Sequence, residues 1–343
     1  MDGGLMRDKV TSLQVAARAG VSQSAVSRVF TPGASVSDKT ANKVRKAARE
    51  LGYRPNVLAR SLITGKSRII GLVVAYLENY FYPEALEKLS NTLQEQGYHV
   101  LIFMAAQTAG NIDDVMEEIL DYQVDGIVLA SVALSSDMAL RCQEAGVPVV
   151  LFNRSQDIDG LAAVTSDNVA GGRKVAAFLV AGGHQRLGYI AGWEGASTQR
   201  DREAGFRAGL AEHGLDVVAR AVGNFKSDGA KAAAQQMFGV PTPPDAVFVA
   251  NDHMAFAVMD VLRFDLGLDV PGDVSVVGYD DVPPAAWRAY DLTTVRQRAN
   301  LMVRETVATL MALIETPDQP RQVAIDGPLI VRGSAKVPEG WAQ

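Results

Sequence analysis

Four hydrogen-bonding side chains recur along one short predicted helix, and their chemistry suits a nucleic acid. Gln23, Ser24, Ser27 and Arg28 follow Ser22, whose hydroxyl can accept a hydrogen bond from the free N–H groups of a first helical turn. An arginine guanidinium can make a bidentate contact with guanine, and a glutamine amide does the same with adenine. These residues are therefore candidates for contacts with base edges or phosphates.

The stretches around this helix predict a helix-turn-helix unit. Thr11 or Ser12 can cap a preceding helix that stops at Gly20, and Ser37 opens a third helix over residues 38–51. A glycine turn between two short helices is the arrangement that offers the second helix to the DNA major groove. Short amphipathic helix pairs also occur in proteins that bind no DNA, so the pattern alone leaves both interpretations open.

The distribution of charge favours DNA binding. The whole chain of 343 residues has a net charge of −6, which by itself argues against a nucleic-acid partner. Residues 1–68, however, contain 13 lysine and arginine residues against 4 acidic residues, whereas the remainder contains 20 against 35. A basic segment on an acidic body confines the attraction for phosphates to the predicted helix-turn-helix region.

A short helical segment and a linker follow this unit. Residues 56–62 span about two turns, well below the ~12–15 residues that an isolated helix needs in water. We therefore expect this segment to become helical only when it docks on a partner. Thr64 to Arg68 has the composition of a linker.

These motifs closely resemble the headpiece and hinge of the LacI/GalR family of bacterial transcription regulators. The matching segments are Val-Ala at 15–16, Ala-Gly-Val-Ser at 19–22, Val-Ser-Arg-Val at 26–29, Leu-Gly-Tyr-Arg-Pro-Asn at 51–56 and Leu-Ala-Arg-Ser-Leu at 58–62. Two departures lie outside the recognition positions. Gln14 stands where an acidic residue is usual, and Leu13 shifts the apolar pattern of the first helix.

The resemblance implies how DNA would be bound. Each headpiece of a homodimer reads one half of a pseudo-palindromic operator, and the paired hinge helices kink its centre, with Leu62 as an apolar wedge. The candidate DNA-binding residues are Thr11, Ser22, Gln23, Ser24, Ser27, Arg28, Asn56, Ala59, Arg60 and Leu62.

From residue 69 onward, apolar runs alternate with helical patterns. A first series predicts strands at 69–75, 100–104, 126–130 and 148–152, with helices at 84–96, 113–122 and 136–145. A second series, after residue 164, predicts strands at 187–191, 217–222, 246–250 and 274–279, with helices at 168–181, 198–213, 227–238 and 253–266. Such alternation predicts parallel strands covered by helices on both faces, and therefore two α/β lobes.

This body resembles the family's regulatory core, which is similar to periplasmic sugar-binding proteins. The predicted fold class is α/β, with a small all-α helix-turn-helix headpiece and a two-lobed periplasmic-binding-protein-like core of two parallel α/β sheets. We assign residues 1–54 to the headpiece, 55–68 to the hinge helix and linker, and 69–343 to the core. The resemblance implies that the first lobe consists of residues of about 69–165 and 295–320. The second lobe then consists of residues of about 166–294 and 321–335, and it includes the last strand, near residues 324–331.

Polar and aromatic residues follow the predicted strand ends, where two facing lobes would close on one ligand. Carboxylates and amides suit vicinal hydroxyls, arginine suits hydroxyl or acid oxygens, and aromatic faces suit a sugar ring. Arg154 beside Arg200 leaves room for an acidic or phosphorylated sugar, although Arg154 could equally form a rim ion pair. The candidate effector-binding residues are Phe81, Tyr82, Asn153, Arg154, Arg200, Phe225, Asn251 and Asp280, and family positions favour all of these except Tyr82 and Arg154.

Neither catalysis nor a bound cofactor or metal is indicated. Asp280 and Asp281 are adjacent and point apart on an extended chain, so they cannot flank one glycosidic bond. The 4 histidines lack metal-ligand spacing, and no P-loop or Gly-x-Ser-x-Gly elbow occurs. A single cysteine, Cys142, and the lack of a signal sequence or long apolar run favour a cytoplasmic protein without membrane contact.

We therefore predict a cytoplasmic, homodimeric transcription regulator, a repressor rather than an activator, that is switched by a sugar or sugar acid bound between its lobes. A purine is the alternative effector class. The alternative is a cytoplasmic solute-binding protein that carries a basic extension and has no DNA-regulatory role. The effector, the operator, the choice between inducer and corepressor, and the choice between dimer and tetramer stay open.

Overall fold

A computed structural model describes residues 10–31, 34–54, 66–105, 109–132, 134–156, 158, 160–316 and 319–341, without the side chains of residues 109–111. It divides into two units, Met1–Ser67 and Arg68–Gln343. None of the described helices combines the length and apolar character that crossing a membrane requires. The predicted DNA-binding residues of the hinge, Asn56, Ala59, Arg60 and Leu62, lie outside the described residues.

The first unit contains three helices, and each begins at a hydroxyl side chain. These helices are α1 (Ser12–Ala19), α2 (Gln23–Val29) and α3 (Asp38–Leu51). Their N-cap residues Thr11, Ser22 and Ser37 each accept a hydrogen bond from a backbone N–H group in the first turn. Helices α1 and α3 end at Gly20 and Gly52, whose φ values of 67° and 69° are left-handed and therefore favour glycine.

The structure explains how α1 accommodates Gln14 and Leu13, the two residues that depart from the family pattern. The Gln14 side chain accepts a hydrogen bond from the Thr11 N–H at 2.8 Å, and Thr11 accepts from the Gln14 N–H at 3.4 Å. Gln14 thus completes a capping box. Leu13 is 63% exposed and takes no part in the core, whose fully buried centre is Val15, Val26 and Val44.

The second unit, the body, begins with a six-stranded parallel sheet. Its strands are β1 (Ile69–Val74), β2 (His99–Met104), β3 (Gly126–Ala130), β4 (Val149–Phe152), β5 (Ala162–Ser166) and β11 (Gln322–Ile325), in the order β11-β5-β4-β3-β1-β2. The helices that accompany it are α4 (Phe81–Glu95), α5 (Ala109–Asp121), α6 (Ser136–Glu144) and α11 (Ala299–Glu315). Helix α11 packs on α4 and on β3, β4 and β5.

A second six-stranded sheet completes the body. Its strands are β6 (Leu187–Ala191), β7 (Val217–Val222), β8 (Ala246–Val249), β9 (Ser275–Asp280), β10 (Thr293–Arg296) and β12 (Leu329–Ile330), in the order β12-β10-β9-β8-β6-β7. Its helices are α7 (Asn168–Ala181), α8 (Ser197–Ala211), α9 (Ser227–Phe238) and α10 (Asp252–Asp260), which continues as a π-helical turn, Val261–Asp265. Only β12, among these strands, is antiparallel to its neighbour.

The chain passes from one sheet to the other at positions that differ from the predicted lobe boundaries. Strand β10 still belongs to the second sheet, so the return to the first begins after Arg296 and not at residue 295. The stretch predicted as one last strand forms two strands, because β11 pairs with β5 in the first sheet and β12 pairs with β10 in the second. Gly327 and Pro328 separate them. A Cβ at Gly327 would lie 2.0 Å from the Arg296 carbonyl oxygen, and proline interrupts strand pairing.

Helices α7 and α8 approach each other closely because glycines lie at their contact. A Cβ at Gly172 would lie 2.3 Å from the Arg202 carbonyl oxygen and 2.7 Å from the Phe206 backbone nitrogen. A Cβ at Gly205 would lie 2.1 Å from the Val169 carbonyl oxygen. The neighbouring atoms belong to the backbone and cannot rotate away, so the two helices need glycine to keep this distance.

A fully buried carboxylate connects three elements of the second sheet. Asp252, in the first turn of α10, accepts hydrogen bonds from the Thr294 hydroxyl at 2.6 Å and the Val282 N–H at 3.0 Å. Burial, reinforced by the nearby charge of Asp280, raises the pKa of Asp252 to about 8. The folded protein therefore favours the protonated form of Asp252.

Replacing Gly172 with alanine should destabilise the body. The methyl group would force the backbones of α7 and α8 apart, and we expect a loss of about 2 kcal/mol or more in the free energy of unfolding. Urea unfolding of the full chain measures this loss. Gly182→Ala is the control, because its Cβ would meet its nearest neighbours at an ordinary 3.4 Å. Equal stability of the two variants would contradict the close packing.

Asp252→Asn should alter how stability depends on pH. Between the ordinary carboxyl pKa of 3.8 and about 8, the unfolded chain releases the Asp252 proton while the folded chain keeps it, so this residue's contribution declines as pH rises. Asparagine keeps both hydrogen bonds if the Thr294 hydroxyl rotates to accept. We expect the urea midpoint of the variant to exceed that of the unmodified chain by an amount that grows from pH 5 through pH 6.5 to pH 8. A constant difference would refute this protonation.

Candidate functional site

The predicted DNA-reading side chains are exposed on α2. Gln23, Ser24, Ser27 and Arg28 all face solvent, while Val26 on the same helix is fully buried. Arg28 has no ion pair with a described residue, and its Nε donates a long 3.5 Å hydrogen bond to the Ser24 carbonyl. Its guanidinium therefore keeps donors available for a base or a phosphate.

Five predicted effector residues lie at the carboxyl edges of the two sheets. Asn153 and Arg154 follow β4, Phe225 follows β7, Asn251 follows β8, and Asp280 ends β9. All five are buried. The φ values of Asn153, Phe225 and Asp280 are 57°, 59° and 126°, which are strained for residues with a side chain and are typical of functional sites.

The other three predicted residues lie on helices and not in loops. Phe81 and Tyr82 form the buried first turn of α4. This helix begins earlier than predicted, where the Asn79 side chain accepts a hydrogen bond from the Phe81 N–H at 3.0 Å. Arg200 lies in the first turn of α8 and is exposed.

Asp280 is the centre of a buried polar network. Its carboxylate accepts hydrogen bonds from Asn79 Nδ2 at 3.1 Å and Gln297 Nε2 at 2.7 Å, and it lies 3.4 Å from a terminal nitrogen of Arg202. Burial raises the pKa of Asp280, and the Arg202 charge opposes that rise. Asn79 belongs to the loop after β1, so this network includes residues that follow strands of both sheets.

The sequence prediction missed Arg202, the cation of this network. Arg202 donates hydrogen bonds to Asn168 Oδ1 at 2.9 Å and to the Ala250 carbonyl at 2.5 Å, and it lies 3.7 Å above the Tyr279 ring. Its position gives a usable signal. Residue 202 precedes the buried Phe206 by four, so the two share the inner face of α8.

Asp281 has a different role from Asp280. It accepts hydrogen bonds from Arg296 at 2.5 Å and Arg332 at 2.6 Å, and these connect the loop after β9 with β10 and the chain beyond β12. A cavity of about 380 Å³ opens beside both carboxylates and is also lined by Phe81 and Gln297. Asp281 is paired with two arginines, whereas Asp280 is paired with one and receives its other hydrogen bonds from neutral amides, so Asp280 is the more suitable ligand contact.

On the side of the first sheet, aromatic rings and an amide line the strand ends. Asn153 Nδ2 donates a hydrogen bond to the Tyr82 hydroxyl at 3.1 Å, and the Tyr82 ring meets that of Tyr76 edge to face at 5.4 Å. Burial raises the pKa of both tyrosines. Both rings are therefore neutral and offer apolar surface with a hydroxyl at the edge.

Several buried polar atoms at these strand ends have no hydrogen-bond partner among the described residues. They are Asn153 Oδ1, Arg154 Nε, Asn251 Nδ2, His253 Nε2 and Gln297 Oε1. Leaving such groups unsatisfied costs about 1–3 kcal/mol each, so their clustering indicates a place where a polar molecule binds. No group of acidic, histidine or cysteine side chains in the described ranges could hold a metal ion.

Two protein-family models match the chain. Residues 13–56 match "Bacterial regulatory proteins, lacI family", and residues 176–335 match "Periplasmic binding protein-like domain". The lacI-family match covers the helix-turn-helix. The match to the periplasmic binding protein-like domain covers the strands of the second sheet and also β11, which belongs to the first sheet. These matches confirm the predicted family and fold class.

Relatives and solved structures cover almost the whole chain. The HTH-type transcriptional regulator CelR of Thermobifida fusca is 34% identical over 96% of this chain and 99% of its own. The ribose operon repressor of Escherichia coli K12 is 31% identical over 95% and 99%. The operator-bound lac repressor dimer with the anti-inducer ONPF has a TM-score of 0.87 at 28% identity, covering 95% of this chain and 99% of that one.

The complex of the transcriptional regulator CelR with cellobiose is also similar, with a TM-score of 0.72 at 30% identity, covering 95% of this chain and 100% of that one. All these relatives are regulators or repressors, which confirms the prediction of a transcription regulator and not an enzyme. They offer no support for the alternative of a solute-binding protein without a DNA role. The chain belongs to the LacI family of bacterial transcription regulators.

Proposed function

We propose that this regulator is a homodimeric repressor whose operator affinity is controlled by a carbohydrate bound at the carboxyl edges of the two sheets. The observation that carries the proposal is the set of unsatisfied buried polar atoms around Asp280 and Arg202. Hydroxyl groups of a sugar both donate and accept hydrogen bonds, so they would satisfy amide oxygens and amide nitrogens alike. The CelR–cellobiose complex supports this ligand class.

The DNA contacts are proposed for residues of the helix-turn-helix and the hinge. Gln23 and Arg28 would reach base edges, while Thr11, Ser22, Ser24 and Ser27 suit phosphates or bases. Asn56, Ala59, Arg60 and Leu62 join the proposal on the sequence alone. In the corresponding organisation, residues 1–54 form the headpiece, 55–68 the hinge and 69–343 the effector-binding core. The operator-bound lac repressor dimer supports the dimeric arrangement, and binding DNA implies a cytoplasmic location.

The network around Asp280 suggests how the effector would act. Asn79 and Asn153 follow strands of the first sheet, whereas Asn251 and Asp280 follow strands of the second. A ligand that contacts both sets would favour one arrangement of the two sheets over others. Such differential binding is what a ligand needs in order to shift a conformational equilibrium.

Arg28→Ala should weaken operator binding without affecting the body. Loss of one bidentate base contact is worth about 1–3 kcal/mol, or roughly 5- to 150-fold in affinity, and it should relax the sequence preference at one position. Fluorescence anisotropy with an operator selected from random duplex DNA measures both effects. Arg141→Ala is the control, because Arg141 is an exposed arginine of the body paired with Glu117. Equal affinities for all three proteins would exclude Arg28 from the interface.

Asp280→Asn should abolish the effector response while operator binding persists. The substitution keeps the side-chain size, but it replaces an acceptor oxygen by a donor and leaves Arg202 without its counter-charge. A melting curve therefore first establishes that the variant is folded at the assay temperature. We expect affinity for a responsive sugar to fall at least about 10-fold. A screen of cellobiose, ribose, glucose, galactose and their acids for operator release identifies that sugar, and calorimetry measures its affinity. Asp326→Asn, at an exposed carboxylate, should respond like the unmodified chain, and the same behaviour of Asp280→Asn would remove Asp280 from the site.

A further inference from the structure

A second buried arginine lies near the proposed effector site and has no acidic partner like that of Arg202 in the part of the chain that the structure describes. The Arg154 side chain follows β4 and the residue is only 5% exposed. Within the described ranges its Nε has no hydrogen-bond partner, and one terminal nitrogen donates a long hydrogen bond of 3.5 Å to the Ser131 hydroxyl. No acidic side chain among the described residues lies within ion-pair distance of Arg154.

Among the described residues, the groups around Arg154 supply no negative charge. Its guanidinium lies 5.3 Å above the ring of Trp193. Tyr82 and Tyr76 are close enough to influence the guanidinium, but burial keeps both neutral by raising their pKa. Arg200 repels it. A buried cation in such surroundings is costly unless something else neutralises it.

Arg154 lies where a ligand in the proposed site would meet it. Ser131 and Tyr76 follow β3 and β1 of the first sheet, and Trp193 follows β6 of the second. The adjacent Asn153 also has a buried unsatisfied atom, its Oδ1. The guanidinium is therefore enclosed by strand ends of both sheets, next to an amide that also needs a partner.

Building on the proposed function, we propose that the effector is a sugar acid whose carboxylate pairs with Arg154. A carboxylate matches the guanidinium fork through two parallel hydrogen bonds and supplies the single negative charge that one buried arginine requires. The hydroxyl groups of the sugar acid would contact Asp280, Arg202 and the amide side chains that have buried polar atoms without partners. A rim ion pair, the other role open to Arg154 from the sequence, is excluded within the described residues by burial and by the missing acidic partner.

The first test uses the full chain without ligand. Arg154→Met removes a buried unpaired charge and keeps the side-chain length, so the melting temperature should rise by about 2 °C or more. Arg202→Met is the matched control, because it leaves the buried Asp280 without its cation and should lower the melting temperature. A fall for Arg154→Met comparable to that for Arg202→Met would mean that Arg154 is held by the protein itself, and would overturn the proposal.

The second test compares acids with their neutral parents. Calorimetry and melting curves of the full chain are recorded with glucuronate, galacturonate and gluconate, with glucose and galactose, and with glucose 6-phosphate. We expect one of the acids to bind at least about 30-fold more tightly than its parent sugar. Arg154→Met should lose this preference, and Arg154→Lys should retain part of it because lysine keeps the charge but not the fork.

The outcomes separate the two proposals. A neutral sugar that binds equally well to the unmodified chain and to Arg154→Met, and releases operator, would overturn the sugar-acid proposal while supporting the proposed function. Binding of glucose 6-phosphate alone would overturn the carboxylate assignment. If none of the sugars, acids or phosphates alters melting or operator binding, the proposed carbohydrate control fails and the sugar-acid inference fails with it.

Discussion

The buried ion pair between Arg202 and Asp280 holds the ligand side of the body together. Arg202 also bonds Asn168 at the start of α7 and the carbonyl at the end of β8, so one guanidinium fixes two helices against two strand ends. Asp280 in turn receives a hydrogen bond from Asn79 of the first sheet. Removing either charge would leave the other buried and uncompensated, which typically costs 3–5 kcal/mol. The close glycine contact between α7 and α8 is what brings Arg202 within reach.

The two buried arginines show how one site combines stability with recognition. Arg202 is paired by its own protein and organises the site, whereas the buried Arg154 keeps an Nε–H without a hydrogen-bond partner among the described residues. Functional sites commonly depart in this way from the most stable choice of residues. The strained backbone at Asn153, Phe225 and Asp280 belongs to the same pattern. Binding energy is thus available from groups that folding leaves without partners.

Features that depend on neighbouring residues could be predicted from the sequence, whereas features that depend on distant residues could not. The caps at Ser22 and Ser37 could be predicted because a hydroxyl bonds the backbone only three residues away. The central strands were recognisable as unbroken apolar runs. By contrast, Arg200 and Arg202 differ only in helix phase, and the four-residue spacing from Arg202 to Phe206 is the one local sign that Arg202 faces inward. The separation of β11 from β12 depends on the pairing of β11 with β5, whose residues lie more than a hundred positions earlier in the chain.

The order of the strands has a consequence for synthesis on the ribosome. Each sheet of the body takes an edge strand from the C-terminal part of the chain, β11 in the first and β12 in the second. Neither sheet can therefore be completed until β11 and β12 have been synthesised. The three-helix unit has its own core near the N-terminus and needs no later residue for it. A nascent chain thus carries a folded DNA-reading unit well before the site that is proposed to control it exists.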